Sequence, residues 1–338
     1  MKTKGSGVPN KKDPFIKPGA LTWLRMHKAG NIVLVFGTLQ VLAILFALLF
    51  PDHFRYITKS NLQVMFRAIP PLGIIALGVN VLMISGEFDL SVGSNFTLTA
   101  LIMAKLFNGG ISVWAAAVVA LIIGAFIGGT NGLIVVKSKV PSFIITLGTM
   151  WFWRGMILVV SQAASESFLP GGFFEKLFTA SIGPMQVQFL WLLGVAVFTW
   201  VLLERHRLGN HFFAVGGNRE TSLALGINPN RVKLIAFIMT GIFTAFSGII
   251  STTRVHSISP IQGEGLELQA IASCVIGGTA LMGGHGTVLG AFLGAALLYT
   301  IQDILLLLRA PGFYLRMFIG IIIVVAAVLN QILRKEFK

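Results

Sequence analysis

The chain has 338 residues, of which 55% are hydrophobic and only 11% charged, with a formal net charge of +14. Ordinary soluble domains carry about 25% charged residues, so this much apolar surface excludes a soluble globular fold and makes lipid its natural solvent. The one cysteine, Cys274, excludes an intrachain disulfide and, set in an apolar stretch, reads as a small packing residue.

Residues 1–29 are a polar, basic tail holding Lys2, Lys4, Lys11, Lys12, Lys17, Arg25 and Lys28. No small-residue cleavage site follows the first apolar run, so this tail does not read as a secretory signal. Charge-free stretches then recur at 30–50, 106–136, 182–203 and 234–253. A helix needs about 20 apolar residues to cross roughly 30 Å of hydrocarbon. Backbone hydrogen bonds must close internally in lipid, which makes these segments helices, and the short alternating segments of a barrel are absent.

The expected fold is therefore an all-α integral membrane domain over 30–333, followed by a short tail at 334–338. About ten spans are expected, near 30–50, 63–85, 90–107, 112–136, 142–162, 187–203, 233–252, 267–282, 286–307 and 314–333. The segments at 90–107 and 267–282 are short or rich in glycine, so eight spans with broken or re-entrant pieces are the alternative. The segments 63–162 and 233–333 share a loose layout that suggests an inverted repeat.

Basic residues near short loops mark the cytoplasmic side. They gather in the N-terminal tail, at Lys137 and Lys139, after the sixth span (Arg205, Arg207, Arg219, Arg231 and Lys233), and at Arg334, Lys335 and Lys338. An alternating ten-span chain puts all of these on one side, with both termini cytoplasmic. The positive charge is thus a topology signal and does not point to nucleic acid.

The loop over 204–232 reads GGNRETSLALGINPN across 216–230. Asn218 can cap a helix by accepting an orphan amide, and Glu220 in the first turn suits the helix dipole. Gly226 fits the left-handed position after a helix end, and Pro229 stops continuation. A helix over 219–225 is predicted, about 10 Å long. It is too short to stand alone in water. Either it packs on the ends of its own spans, or it docks on another protein through Leu223 and Ala224.

This block resembles the cytoplasmic coupling loop of permease subunits of ribose/xylose/galactose-type (simple-sugar) ABC importers, G-x-N-x-x-A-A-x-x-x-G-I. Gly216, Asn218, Gly226 and Ile227 match, while Thr221 and Ser222 stand where that family commonly has alanines. ISGEFDLSVGS at 84–94 is similar to the family's GGIDLSVGS, with Glu87 replacing glycine. NGLIVVKSKVPSFIITLGTM at 131–150 and VIGGTALMGGHGTVLGAFLGA at 275–295 follow in the family's order. The resemblance implies the membrane-spanning subunit of an ATP-driven importer of a small sugar-like solute in a bacterial inner membrane. It implies a cytoplasmic ATPase that holds ATP and Mg, a second permease subunit of the same or a related chain, and a periplasmic solute-binding protein. The chain itself would bind no cofactor beyond contact with membrane lipids. Gly216, Asn218, Arg219, Glu220, Leu223, Ala224 and Gly226 become the ATPase-coupling candidates.

Charges inside spans default to functional candidates. Glu87, Asp89, Asn95, Trp151, Trp153 and Asp303 are the candidates for the translocation path. Asp89, just before Leu90-Ser91-Val92-Gly93, also reads as a cap. Asp303 is expected to reach water or pair with Arg309. Arg67 and Arg154 are expected to snorkel or pair with acids, and the two tryptophans also suit an interfacial anchor. Outer-loop charges, among them Arg55, Lys59, Lys176, Arg254 and Arg316 with Glu166, Glu175, Glu264 and Glu267, are candidate contacts for a binding protein.

The chain has no GxxxxGK[ST] loop and no Gly-Lys dipeptide, so energy must come from a partner. It has no HExxH, no GxSxG and no His/Cys spacing suited to a metal, which argues against an enzyme. The competing reading is a stand-alone secondary transporter or channel coupled through intramembrane carboxylates.

Overall fold

The computed structural model describes residues 30–311 and, beyond them, 313–314, 317–321, 324–325 and 328. The tails at 1–29 and 334–338, Arg316 and most of the expected span at 314–333 lie outside the described residues.

The chain is a helical bundle. Its long helices are α1 (Gly30–Leu49), α2 (Lys59–Ile84), α3 (Val92–Asn108), α4 (Val113–Ser138) and α5 (Ser142–Ser161). After a small cap come α7 (Val187–Arg205), α8 (Arg207–Gly217), α9 (Arg219–Ala224), α10 (Pro229–Val255), α11 (Leu266–Ile276) and α12 (Val288–Leu307). The cap holds β1 (Glu166–Ser167), α6 (Gly172–Thr179), β2 (Ser181–Ile182) and β3 (Met185–Gln186), and β4 (Ser257–Ile258) follows α10.

Nine of the ten expected spans coincide with a helix, but the expectation of about ten full spans needs correction. Among the described residues, 7 helices are long and apolar enough to cross a membrane. The exceptions are the two segments that were short or glycine-rich. α3 has 17 residues and is mostly buried. α11 has only 11 residues, because Gly277 and Gly278 (φ 87°) end it at Ile276 instead of letting it run to 282. At 1.5 Å per residue it is about 16 Å long, half of a bilayer core.

α2 is the central element. From Ile69 to Ile84 every residue is buried. Pro70 and Pro71 lie inside it and remove two backbone donors. The Ser247 hydroxyl of α10 donates to the Pro71 carbonyl at 2.8 Å, and that of Thr240 to the Gly78 carbonyl at 3.0 Å. α10 also packs closely on α4, where Gly241 meets the backbone of Gly124. Small residues allow such approach where lipid gives no hydrophobic drive between helices. Cys274 is fully buried and its Sγ donates to the Ala76 carbonyl.

At the end of the bundle opposite α9, residues 162–186 form a cap between the expected fifth and sixth spans. β1 pairs antiparallel with β4, with Glu166 opposite Ile258. α6 buries Phe174 and Phe178 in an aromatic cluster with Phe168 and Trp191. The Trp191 indole N–H donates to the Leu177 carbonyl.

Candidate functional site

The short helix α9 forms where Asn218 and Gly226 place it. The Asn218 side chain accepts the Thr221 amide at 3.0 Å, which satisfies one orphan donor of the first turn. Gly226 takes φ 77°, the left-handed conformation that glycine enters without steric cost. The helix closes at Ala224, one residue earlier than predicted. Pro229 does not merely stop it. Pro229 opens α10, with Asn228 capping the amides of Asn230 and Arg231.

α9 rests on the end of α8 and the start of α10 and leaves its outer face uncovered. Of its six residues only Ser222 is buried, while Arg219, Glu220, Leu223 and Ala224 are exposed. Leu223 is 51% exposed and the adjoining Leu225 is 70% exposed. Arg219, Leu223, Gly226, Ile227, Asn228 and Asn230 line a cleft of about 290 Å³ beside the helix. The loop also contains α8, which sequence reasoning missed. His206 caps it through its ring nitrogen, and Phe212 and Val215 anchor its inner face.

α8 seats this surface on the membrane domain through a junction of glycine backbones. A Cβ at Gly216 would run into the Ile84 carbonyl and the Gly284 amide. The Gly284 amide in turn donates to the Ile84 carbonyl at 2.9 Å. Three segments therefore meet main chain to main chain: the end of α8, the turn after α2, and the break at 277–287 between α11 and α12. Asn80 of α2 pins that break. Its Oδ1 accepts the Thr279 hydroxyl at 2.6 Å and its Nδ2 donates to the Thr287 carbonyl at 3.2 Å.

The turn after α2 carries Glu87 and Asp89. Glu87 is buried and pairs with Lys233 of α10, a partner that the sequence did not suggest. Asp89 is 1% exposed; its Oδ1 accepts the amide and hydroxyl of Ser91, both at 2.7 Å, and its carboxylate faces the Asn131 amide of α4. The Phe88 amide donates to Ser142 at the start of α5. One turn thus ties α2, α3, α4, α5, α8 and α10 together.

The remaining path candidates lie elsewhere and do not form one cluster. Asn95 is buried, and its Nδ2 lies 3.4 Å from the carbonyls of both Gly124 and Gly241, bridging α4 and α10. Asp303 is buried and accepts from Asn61 at 2.7 Å; it does not reach water, and its partner is not Arg309. Gln40, Tyr56 and Thr300 continue this polar group near the opposite end. Burial raises the Tyr56 hydroxyl above its usual pKa. Trp151 is exposed on α5, with the Arg154 guanidinium 5.7 Å from its ring centre. Trp153 is half-buried and its Nε1 has no hydrogen-bond partner among the described residues. Arg67 is exposed on α2.

At the capped end, Arg55, Lys59 and Glu264 are exposed, and Arg254 is partly buried. Glu267 is not an outer-loop charge. It is 6% exposed in the first turn of α11 and bonds Arg154 at 2.9 Å. Glu166 pairs with Lys105, and Glu175 lies 3.2 Å from His256. The hydrogen bond from Asn108, with Lys105 beside it, holds the Glu166 carboxyl below its usual pKa.

A family model described as "Branched-chain amino acid transport system / permease component" matches residues 61–327. The "Autoinducer 2 import system permease protein LsrC" of Salmonella choleraesuis is 32% identical over 296 residues, covering 87% of this chain and 85% of that protein. Its counterpart in Enterobacter sp. is 33% identical over 299 residues, covering 88% and 86%. The "D-allose transport system permease protein AlsC" of Escherichia coli is 33% identical over 307 residues, covering 89% and 92%. No solved structure matches.

Proposed function

We propose, for a chain that belongs to the family of branched-chain amino acid transport system permease components and is a transport subunit of ABC importers rather than an enzyme, that it carries a sugar or sugar-like solute across a bacterial inner membrane. The two transport systems named for its relatives, for autoinducer 2 and for D-allose, support a small solute of that kind. A periplasmic binding protein delivers the solute at the capped end. A second permease subunit completes the path. A cytoplasmic ATPase, which holds the ATP and Mg, drives it through α9. Both termini are cytoplasmic on this reading.

One observation supports the drive most strongly. A six-residue helix cannot hold itself in water, yet α9 is capped at Asn218 and presents Leu223 outward beside an open cleft. That is the shape of a knob awaiting a groove on another protein. Its seat on the glycine junction offers a short, backbone-level route from that knob to the breaks after α2 and α11. Close-packed backbone has little slack, so a push on α8 displaces whole segments.

The test is site-directed crosslinking in membranes that hold the chain with its ATPase. Leu223→Cys is expected to crosslink to the ATPase, and Val255→Cys at the opposite end is not. Crosslinking from Val255→Cys alone would overturn the reading and invert the assumed orientation. The stand-alone secondary transporter is not favoured. Its candidate carboxylates Glu87, Asp89 and Asp303 are all buried and already hydrogen-bonded within the fold.

A further inference from the structure

Arg154 is the thirteenth of the 20 residues of α5. At 1.5 Å per residue it stands about 18 Å along that helix, near mid-depth of the bilayer. Its Nη2 bonds Glu267 Oε1 at 2.9 Å, and the two side chains are 22% and 9% exposed. Glu267 opens the half-length helix α11, where the first turn favours an acid. The guanidinium also lies 5.7 Å from the ring centre of Trp151, which is 65% exposed. One turn to either side, Gly148 and Gly155 have open space where a Cβ would stand, and the exposed Ile144, Leu147 and Leu158 continue the same face.

An intramembrane arginine is seldom turned to lipid; such residues line water-filled cavities or protein interiors. Arg154 meets that rule through its pair with Glu267, which leaves the Trp151 ring beside it as the part of this face open to a solute. Its chemistry suits one class of solute. An exposed indole covers the C–H face of a ring. A guanidinium with one nitrogen committed to Glu267 keeps further N–H donors in its fixed fork for hydroxyl oxygens. The ion pair is neutral overall, so it offers no net attraction to a phosphorylated or carboxylated molecule. Discontinuous helices that begin at mid-depth are where transporters place such contacts.

We propose that Trp151 and Arg154 form a mid-membrane contact for a neutral polyhydroxylated solute, with Glu267 as the residue that positions Arg154. This rests on the importer reading above and adds the place and chemistry of one contact. The test uses the complete importer, with its ATPase and binding protein, in proteoliposomes. In a Cys274→Ala background, which has no other thiol, Trp151→Cys is expected to be labelled by a hydrophilic, membrane-impermeant thiosulfonate reagent. Absence of reaction would place Trp151 against lipid or sealed protein and overturn the proposal.

In parallel, ATP-dependent uptake of a panel of neutral monosaccharides that includes D-allose is measured together with ATP hydrolysis stimulated by the loaded binding protein. Trp151→Leu and the charge-free pair Arg154→Gln/Glu267→Gln should lower uptake at least tenfold and keep the stimulated hydrolysis within twofold. Trp151→Phe, which keeps an aromatic face, should retain at least half of the uptake. Trp151 is largely exposed, so Trp151→Leu tests the contact even if the paired variant does not fold. Uptake unchanged within twofold in Trp151→Leu overturns this proposal alone. If the wild-type importer takes up no neutral monosaccharide with ATP, the sugar reading fails as well.

Discussion

Replacing Leu223 with aspartate should separate folding from coupling. Burying a leucine side chain fully is worth roughly 1.5–3 kcal/mol. Leu223 is 51% exposed in the isolated chain, so covering the rest against a partner contributes about 1 kcal/mol. Aspartate forfeits that and brings a carboxylate into the contact, where desolvation without a partner costs about 2 kcal/mol or more. The total, about 3 kcal/mol, weakens ATPase binding by roughly 150-fold. Leu223→Ala, which loses only the apolar term, should weaken it about fivefold. Neither change touches the packed interior, so the stability of the chain itself should move by no more than about 0.5 kcal/mol. Titrating the ATPase against the permease in nanodiscs measures the binding, and thermal unfolding of the same samples measures the stability. Equal affinity for wild type and Leu223→Asp would refute the docking role. A large fall in melting temperature would show instead that Leu223 is a packing residue.

Further outcomes follow from the same geometry. Asn218→Ala removes the cap of α9 at a cost of about 1 kcal/mol; uptake should fall while membrane insertion, followed by protease protection, stays normal. Gly216→Ala sets a methyl group against the Ile84 carbonyl and should destabilise the junction by about 1–3 kcal/mol, read as a lower melting temperature in detergent. Glu87→Gln leaves the Lys233 ammonium without its buried partner and should cost about 3 kcal/mol; adding Lys233→Met should recover most of that in the same melting assay. Glu166 is held below its ordinary value of 4.5 in the folded chain. The sign follows from that direction: its contribution is present above about 4.5 and is lost as pH falls through the lower folded value. Hydrogen exchange in residues 162–186 should rise over that acid interval, and Glu166→Gln should abolish the step.

Much of the fold was legible because lipid imposes simple rules on sequence. Charge-free runs of helical length located α1, α4, α7 and α10, long apolar runs broken by a single charge located α5 and α12, and Asn218 and Gly226 located α9 nearly to the residue. The glycines at 277–278 were visible as a break, although how early they end α11 was not. What stayed hidden depends on partners distant in the chain. Glu267 looked like a loop charge because its arginine is 113 residues away on α5. The Glu87–Lys233 pair spans 146 residues. The junction at Gly216 and Gly284 consists of backbone contacts, which leave no periodicity to read. α8 was missed because its three glycines, Gly209, Gly216 and Gly217, weaken its helix propensity, and the cap at 162–186 because its stability comes from aromatic contacts across three segments. The isolated amides Asn80 and Asn131, each set in an apolar run, were the signal that could have located the junction.

The central claim is that this chain moves its solute only under drive from a separate ATPase. Uptake into proteoliposomes measures it most directly, with the full chain assayed alone and then with ATPase, ATP and loaded binding protein. The account predicts uptake only in the complete system, abolished by Leu223→Asp. Uptake by the chain alone, driven by a proton or sodium gradient, would contradict it.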